Sequence, residues 1–148
     1  EKGCIAVPTL VAYDALWLEG KALGLGPVEF EKIDIVRAGG LRSLEIMRDA
    51  GLPMAFGSDL LGGLRKYHCM EFELLAKVLT PAEIIRSATL MGARLCGMPD
   101  ALGRIASGAH ADLLVVDGDP LSDLSLLQAD GQHLSLIMRG GEIFKDRQ

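Results

Sequence analysis

"GLPMAFGSDLLGG", residues 51–63, is the stretch on which the fold turns. Pro53 opens it, Met54-Ala55-Phe56 is a short apolar run, and Gly57-Ser58 leads to a carboxylate, Asp59. Two more glycines follow, Gly62 and Gly63. An apolar run of this length without alternation reads as a strand buried on both faces. Its acidic end has two explanations. Asp59 caps the next element by accepting its amides, or it works at the C-terminal end of a strand, where parallel α/β folds place functional side chains. Spacing alone leaves both open.

Upstream, "CIAVPTL" (4–10) reads as a second short buried strand that stops near Pro8, which has no amide to give a ladder. Residues 11–20 read as a helix stopped by Gly20, and "GLGPVEF" (24–30) as a loop. From about residue 31 to 50 the pattern is helical, with Leu41, Leu44 and Met47 at helical spacing and a break expected at Gly39-Gly40. Gly51 then stands where a left-handed helix stop belongs. Strand, helices and strand make a βαβ unit, so the two strands should run parallel with a right-handed crossover.

Downstream, residues 68–79 read as a helix. "LTPAEIIRSATLMGARLCG" (79–97) carries the sharpest local signal: Thr80 as N-cap, Pro81 at the first helical position, and Glu83 closing a capping box. Ile84, Ala88, Met91 and Leu95 fall on one expected face. The pattern changes after about residue 103. "ADLLVVDGDP" (111–120) reads as a strand ended by a turn, and "HLSLIMRGGEIFKD" (133–146) as a hairpin about Gly140-Gly141. The expected division is therefore an α/β part, 1–102, and a small β part, 103–148.

Bulk properties narrow the function. The chain has 148 residues, 49% of them hydrophobic, which suffices for one ordinary core. No run of about 18 apolar residues occurs, so no membrane helix and no membrane partner is expected. Net charge is −5 with scattered basic residues, which argues against a nucleic-acid partner. Cys4, Cys69 and Cys96 form no CxxC pair, so a disulfide framework is not expected and a reducing, cytoplasmic setting fits. The first residue is Glu1, and Gly3 leads straight into an apparent strand, so the chain reads as a piece of something longer.

Few other residues have the pattern of a site. His68 and Glu71 lie three apart at a helix start, where they could share a face and meet a metal, or simply form a polar helix start. His110 and His133 read as turn or surface residues, and Asp112, Asp117, Asp119 and Asp123 as turn aspartates. No GxGxxG, GxxxxGK[ST] or GxSxG occurs.

Taken in order, "GLPMAFGSDLLG", "LTPAEIIRSATLMGARLCGM", "LGRIASGAHADLLVVDGDPLSDLSLL" and "LIMRGGEIFK" resemble the C-terminal part of the amidohydrolase superfamily. The resemblance is to its imidazolonepropionase-related branch, which includes Xaa-Pro dipeptidase-like enzymes, and it covers essentially the whole chain. It implies an α/β fold: the last strands and helices of a (β/α)8 TIM-like barrel, then β strands of a small β-sandwich. Residues 4–10 resemble barrel strand seven and 54–59 strand eight. The resemblance implies a divalent metal, zinc, touched by Asp59, which also handles the proton of the attacking water. His68 and Glu71 become substrate-contact candidates, with no metal role. The HxH pair, the bridging lysine or carboxylate and two later histidines of such proteins have no counterpart here. The expectation is thus a C-terminal piece of a metal-dependent amidohydrolase that cleaves a C–N bond of a small molecule or dipeptide, incomplete for catalysis as given, with a homo-oligomeric state left open. The alternative is a stand-alone, non-catalytic α/β binding or interaction module in which Asp59 is a turn residue. A doubly wound nucleotide binder is disfavoured by the missing phosphate loop.

Overall fold

The computed structural model describes residues 3–147. Its helical part contains α1 (Val11–Glu19), α2 (Pro27–Asp49), α3 (Met70–Leu75), α4 (Pro81–Arg86) and α5 (Gly92–Leu95). A three-stranded antiparallel sheet follows, in the order β1 (Leu113–Val116), β2 (Leu134–Arg139), β3 (Glu142–Asp146).

The two strands expected of the βαβ unit are reduced to a single bridge, and it is parallel: Ala6 pairs with Met54. Ala6 N–H donates to the Pro53 carbonyl and Ala55 N–H to the Ala6 carbonyl, both at 2.9 Å. Prolines at 8 and 53 withhold amides on either side, so the ladder stops at this one repeat.

α2 starts earlier than its periodicity suggested. Pro27 occupies the first turn, and Glu29 reaches back to accept the Gly26 amide at 3.0 Å, so part of the supposed 24–30 loop is helix. The helix also runs unbroken through Gly39-Gly40. Gly40 packs there against Leu10, whose terminal methyl would have to move for a Cβ, since the two would lie 2.9 Å apart. Gly51 stops α2 as expected: at φ +63 it donates to the Arg48 carbonyl while Leu52 donates to Met47, the two bonds of a Schellman stop.

The helix expected over 68–79 is shorter. A 3-10 turn, Gly62–Tyr67, comes first, and α3 spans only Met70–Leu75. Over 79–97 the capping box is present: Thr80 N–H donates to Glu83 Oε2 at 2.8 Å, and Glu83 N–H donates to Thr80 Oγ1 at 3.4 Å. The helix is not a uniform α-helix, because a π turn, Ser87–Met91, is inserted between α4 and α5. That insertion rotates the later residues about the axis. Ile84, Ser87 and Ala93 are the buried positions, whereas Ala88 and Leu95 of the expected face are exposed. Ser87 and Thr89 hydroxyls bond back to the Ile84 and Ile85 carbonyls, each at 2.7 Å.

The core joins these pieces. Leu44, Leu75, Leu79, Ile84 and Leu124 are buried together, with Met54, Phe56 and Phe72 packed against them. Each such leucine or isoleucine contributes roughly 1.5–3 kcal/mol of hydrophobic stabilisation. Phe56 and Phe72 stack with ring centroids 4.5 Å apart, which fastens the Asp59 strand to α3. Gly103 at φ +71 lets the connection to the sheet lie against the Thr89 carbonyl, where a Cβ would not fit. In the sheet, Gly140 and Gly141 (φ +57 and +85) form the expected two-residue hairpin turn. Asp112, Asp119 and Asp123 accept turn amides, from Gly140, Leu121 and Ser125 respectively.

Removing the cap that starts α4 tests this description. Thr80→Ala should lower stability by about 1 kcal/mol, read as a lower urea midpoint with an unchanged slope. An unchanged midpoint would contradict the cap.

Candidate functional site

The parallel bridge sets two chain segments side by side and sends both toward the same end. One finishes at Thr9 and the other at Asp59, and each of these residues has φ +49. Side chains with a Cβ rarely adopt this conformation, and holding one there costs on the order of 1–3 kcal/mol. Two such residues at the ends of neighbouring segments mark this end of the bridge as the strained one. Gly57 lets the segments close up: a Cβ there would overlap Val7 Cγ1 and lie 3.6 Å from Thr9 Cγ2. The Asp59 segment is anchored from behind, where Phe56 N–H donates to the Ser87 carbonyl of the π turn at 3.1 Å.

Asp59 is exposed, and its carboxylate takes part in no hydrogen bond or ion pair among the described residues. The capping use of this aspartate is therefore not made. The 3-10 turn that follows is capped by Leu61, without a side-chain bond.

His68 is exposed as well. Its Nδ1 lies 2.7 Å from the Arg65 carbonyl oxygen, a contact that requires the proton on Nδ1 and leaves Nε2 as the uncommitted nitrogen. Glu71 lies elsewhere. It is fully buried, with 0% of its surface exposed, beneath the start of α1. Leu10 N–H donates to its Oε1 at 3.1 Å and Val11 N–H to its Oε2 at 2.7 Å. These are first-turn amides of α1, which has no cap of its own. Both carboxylate oxygens are thus committed to backbone, and the structure does not bring Glu71 to the surface beside His68.

Four residues that the sequence reading did not single out, Thr9, Glu19, Lys66 and Tyr67, complete the region. Thr9 ends the first segment. Tyr67 Oη donates to Glu19 Oε1 at 2.6 Å, and Lys66 Nζ lies 2.6 Å from the same oxygen. The segment after Asp59 is therefore latched to α1 at both ends, by Tyr67 and Lys66 at its C-terminus and by Glu71 at its N-terminus. The Lys66 hydrogen bond, then that of Tyr67, holds the Glu19 carboxyl below its ordinary value. Sequence did carry one signal for Glu71. It shares the i, i+3, i+4, i+7 stripe with Leu74, Leu75 and Val78, and a carboxylate on a buried stripe must find donors.

Burial pushes the Glu71 carboxyl up to about 7, against the pull of the Val11 and Leu10 amides; the Asp14 charge on α1 adds to the rise. A larger cavity, about 600 Å³, opens between α1 and α2 around Tyr13, Arg37 and Gly39. It excludes both Asp59 and His68, and its Arg37 is already paired with Asp14 at 2.7 Å. Among the described residues no three His, Cys, Asp or Glu side chains cluster as a metal centre would require. Asp59 fits as one donor to a metal, and the described residues provide no complete set.

The chain belongs to the Amidohydrolase family, which residues 2–143 match. It is 33% identical over 116 residues to the imidazolonepropionase of Ectopseudomonas mendocina, covering 74% of this chain and 28% of that protein. A crystal structure of an amidohydrolase superposes with a TM-score of 0.92 at 50% identity, over 98% of this chain and 35% of that one. A prolidase complexed with N-methylphosphonate-L-proline superposes at 0.90 with 41% identity, over 98% and 36% of the two chains. The chain spans about a third of the length of the relatives it matches. No helix among the described residues is long and apolar enough to cross a membrane.

The Glu71 environment makes stability depend on pH in a definite direction. Its folded value lies above the ordinary 4.5, so the folded chain binds this proton more tightly than the unfolded chain. The stabilisation is complete below about 4.5 and is lost as pH rises through about 7, on the order of 3 kcal/mol in all. Urea unfolding at pH 5 and pH 8 should show a larger loss for wild type than for Glu71→Gln. Equal losses would contradict this burial.

Proposed function

We propose that the chain forms the C-terminal portion of a divalent-metal-dependent amidohydrolase that cleaves a C–N bond in an amide, cyclic amide or dipeptide. Asp59 is its metal-touching, proton-handling carboxylate. The observation that carries this reading is the exposed Asp59 carboxylate, without a partner among the described residues, at the positive-φ end of a parallel-bridged segment in a chain of this family. Residues 1–102 then supply the last strands and helices of a (β/α)8 barrel, and 103–148 supply strands of the β-sandwich. A barrel of this type takes about 250 residues, so further polypeptide completes it. Exposed apolar side chains support that assignment: Ile35 is 67% exposed, Phe144 60% and Leu114 56%. Surface of this kind is normally covered.

In the proposed reaction Asp59 accepts a proton from the attacking water and passes it to the leaving nitrogen. It is suited to this because, among the described residues, no group engages either oxygen. The metal, zinc in the first instance, supplies when bound a water acidified toward neutral pH and a polarised carbonyl. Its remaining ligands come from the rest of the barrel. His68, with Nε2 uncommitted on the same loop, is the proposed substrate contact. Glu71 is proposed to act on the site through backbone and not by touching substrate. Small amides or dipeptides are the proposed substrates, with no nucleic-acid or membrane partner. Three free cysteines suit a reducing, cytoplasmic compartment.

Asp59→Asn in the polypeptide that carries the remaining ligands should lower kcat by about 10²–10⁴-fold with the thermal unfolding midpoint retained. Turnover near that of the wild type would refute the assignment and favour the stand-alone module.

A further inference from the structure

We propose that Glu71 is a positioning residue for the Asp59 loop: by gripping the Leu10 and Val11 amides it fixes the Val7–Thr9 segment and, through the packing of Val7 against Gly57, the geometry of Gly57–Asp59. The proposal rests on the reading of Asp59 as the proton-handling group.

Three observations combine. Glu71 is fully buried, and both its oxygens go to the two amides that directly follow Thr9. Thr9 is held at φ +49, a conformation that survives only where its neighbours over-determine it. Across the bridge, Gly57 has no room for a Cβ because Val7 fills that space and Thr9 Cγ2 stands behind it. Movement at Thr9 or Val7 is therefore felt two residues before Asp59. Glu71 also lies on the chain that leaves Asp59, so it closes a loop: Asp59, the Gly62–Tyr67 turn, Glu71, α1, Thr9 and back to Gly57. Tyr67 and Lys66 on Glu19 brace the far side of the same loop.

An ionised carboxylate accepts both amides. A protonated one keeps a good acceptor on one oxygen and turns the other into an O–H group, a poor acceptor for the second amide. The grip on α1 therefore changes with the protonation of Glu71, and the Asp59 loop should report it. Asp14 on α1, paired with Arg37 of α2, is the charged group acting on Glu71. His68 is the histidine nearest to it in sequence.

The test is an amide chemical-shift titration, from pH 5 to 9, of the ²H,¹⁵N-labelled polypeptide that carries this chain and the rest of the barrel, in a His68→Gln background that removes that histidine. Leu10 and Val11 should move with one midpoint, near 7 from the environment described. Thr9, Gly57 and Ser58 should follow the same midpoint. Adding Glu71→Gln should abolish that midpoint at all five, while Ala93 and Leu124 keep their shifts. If Gly57 and Ser58 ignore the midpoint that Leu10 and Val11 show, the coupling is overturned. The titration without Glu71→Gln decides this even if that variant fails to fold. No metal, substrate or turnover enters the measurement. A failed coupling therefore leaves the Asp59 assignment standing, and a failed Asp59→Asn assay leaves the coupling standing.

Discussion

Two backbone hydrogen bonds, from Ala6 to Pro53 and from Ala55 to Ala6, hold together segments that lie nearly fifty residues apart in sequence. Their parallel sense sends Thr9 and Asp59 to the same end, and it requires the α1–α2 crossover between them. With so short a ladder, the surroundings must keep the register. Gly57 lets the two segments touch, Phe56 binds α3 through Phe72, and the Phe56 amide binds the π turn at Ser87. The site end of the bridge is thus fixed from the Val7–Thr9 segment, α3 and the π turn at once.

The buried carboxylate fits the same logic. A short helix without a cap has amides to satisfy, and Glu71 satisfies two of them from sixty positions away. An ionised group with 0% exposure is expensive, and the rise of its carboxyl to about 7 records that expense. Placing the acceptor on the chain that follows Asp59 ties the helix start to the candidate site.

Local signals carried most of the fold. Thr80-Pro81 with Glu83, Gly51 past the last helical residue, and Gly140-Gly141 between apolar runs each produced the structure their chemistry demands. Errors arose where a tertiary contact or a backbone insertion decided. Gly39-Gly40 looked like a break because glycine disfavours helix, yet the helix continues and Gly40 makes room for Leu10. The face assigned to residues 84–95 failed because periodicity presumes 3.6 residues per turn, and the π turn does not keep it. At the site, the place of Asp59 just past the bridged apolar run and before glycines was legible. Thr9 was not, because nothing in "PTLV" announces a left-handed threonine. Glu71 was read as a neighbour of His68 on one helix face, although its place on an apolar stripe pointed to burial. Its donors lie on another element, and the sequence cannot show which.

The central claim is that the bridged strand ends present Asp59 to a metal in a C–N hydrolase of the Amidohydrolase family. Anomalous diffraction at the zinc edge, from zinc-loaded crystals of the polypeptide that carries the remaining ligands, tests it most directly. The account predicts an anomalous peak within bonding distance of the Asp59 carboxylate. A fully occupied peak elsewhere, with Asp59 turned to solvent or to a backbone amide, would contradict it.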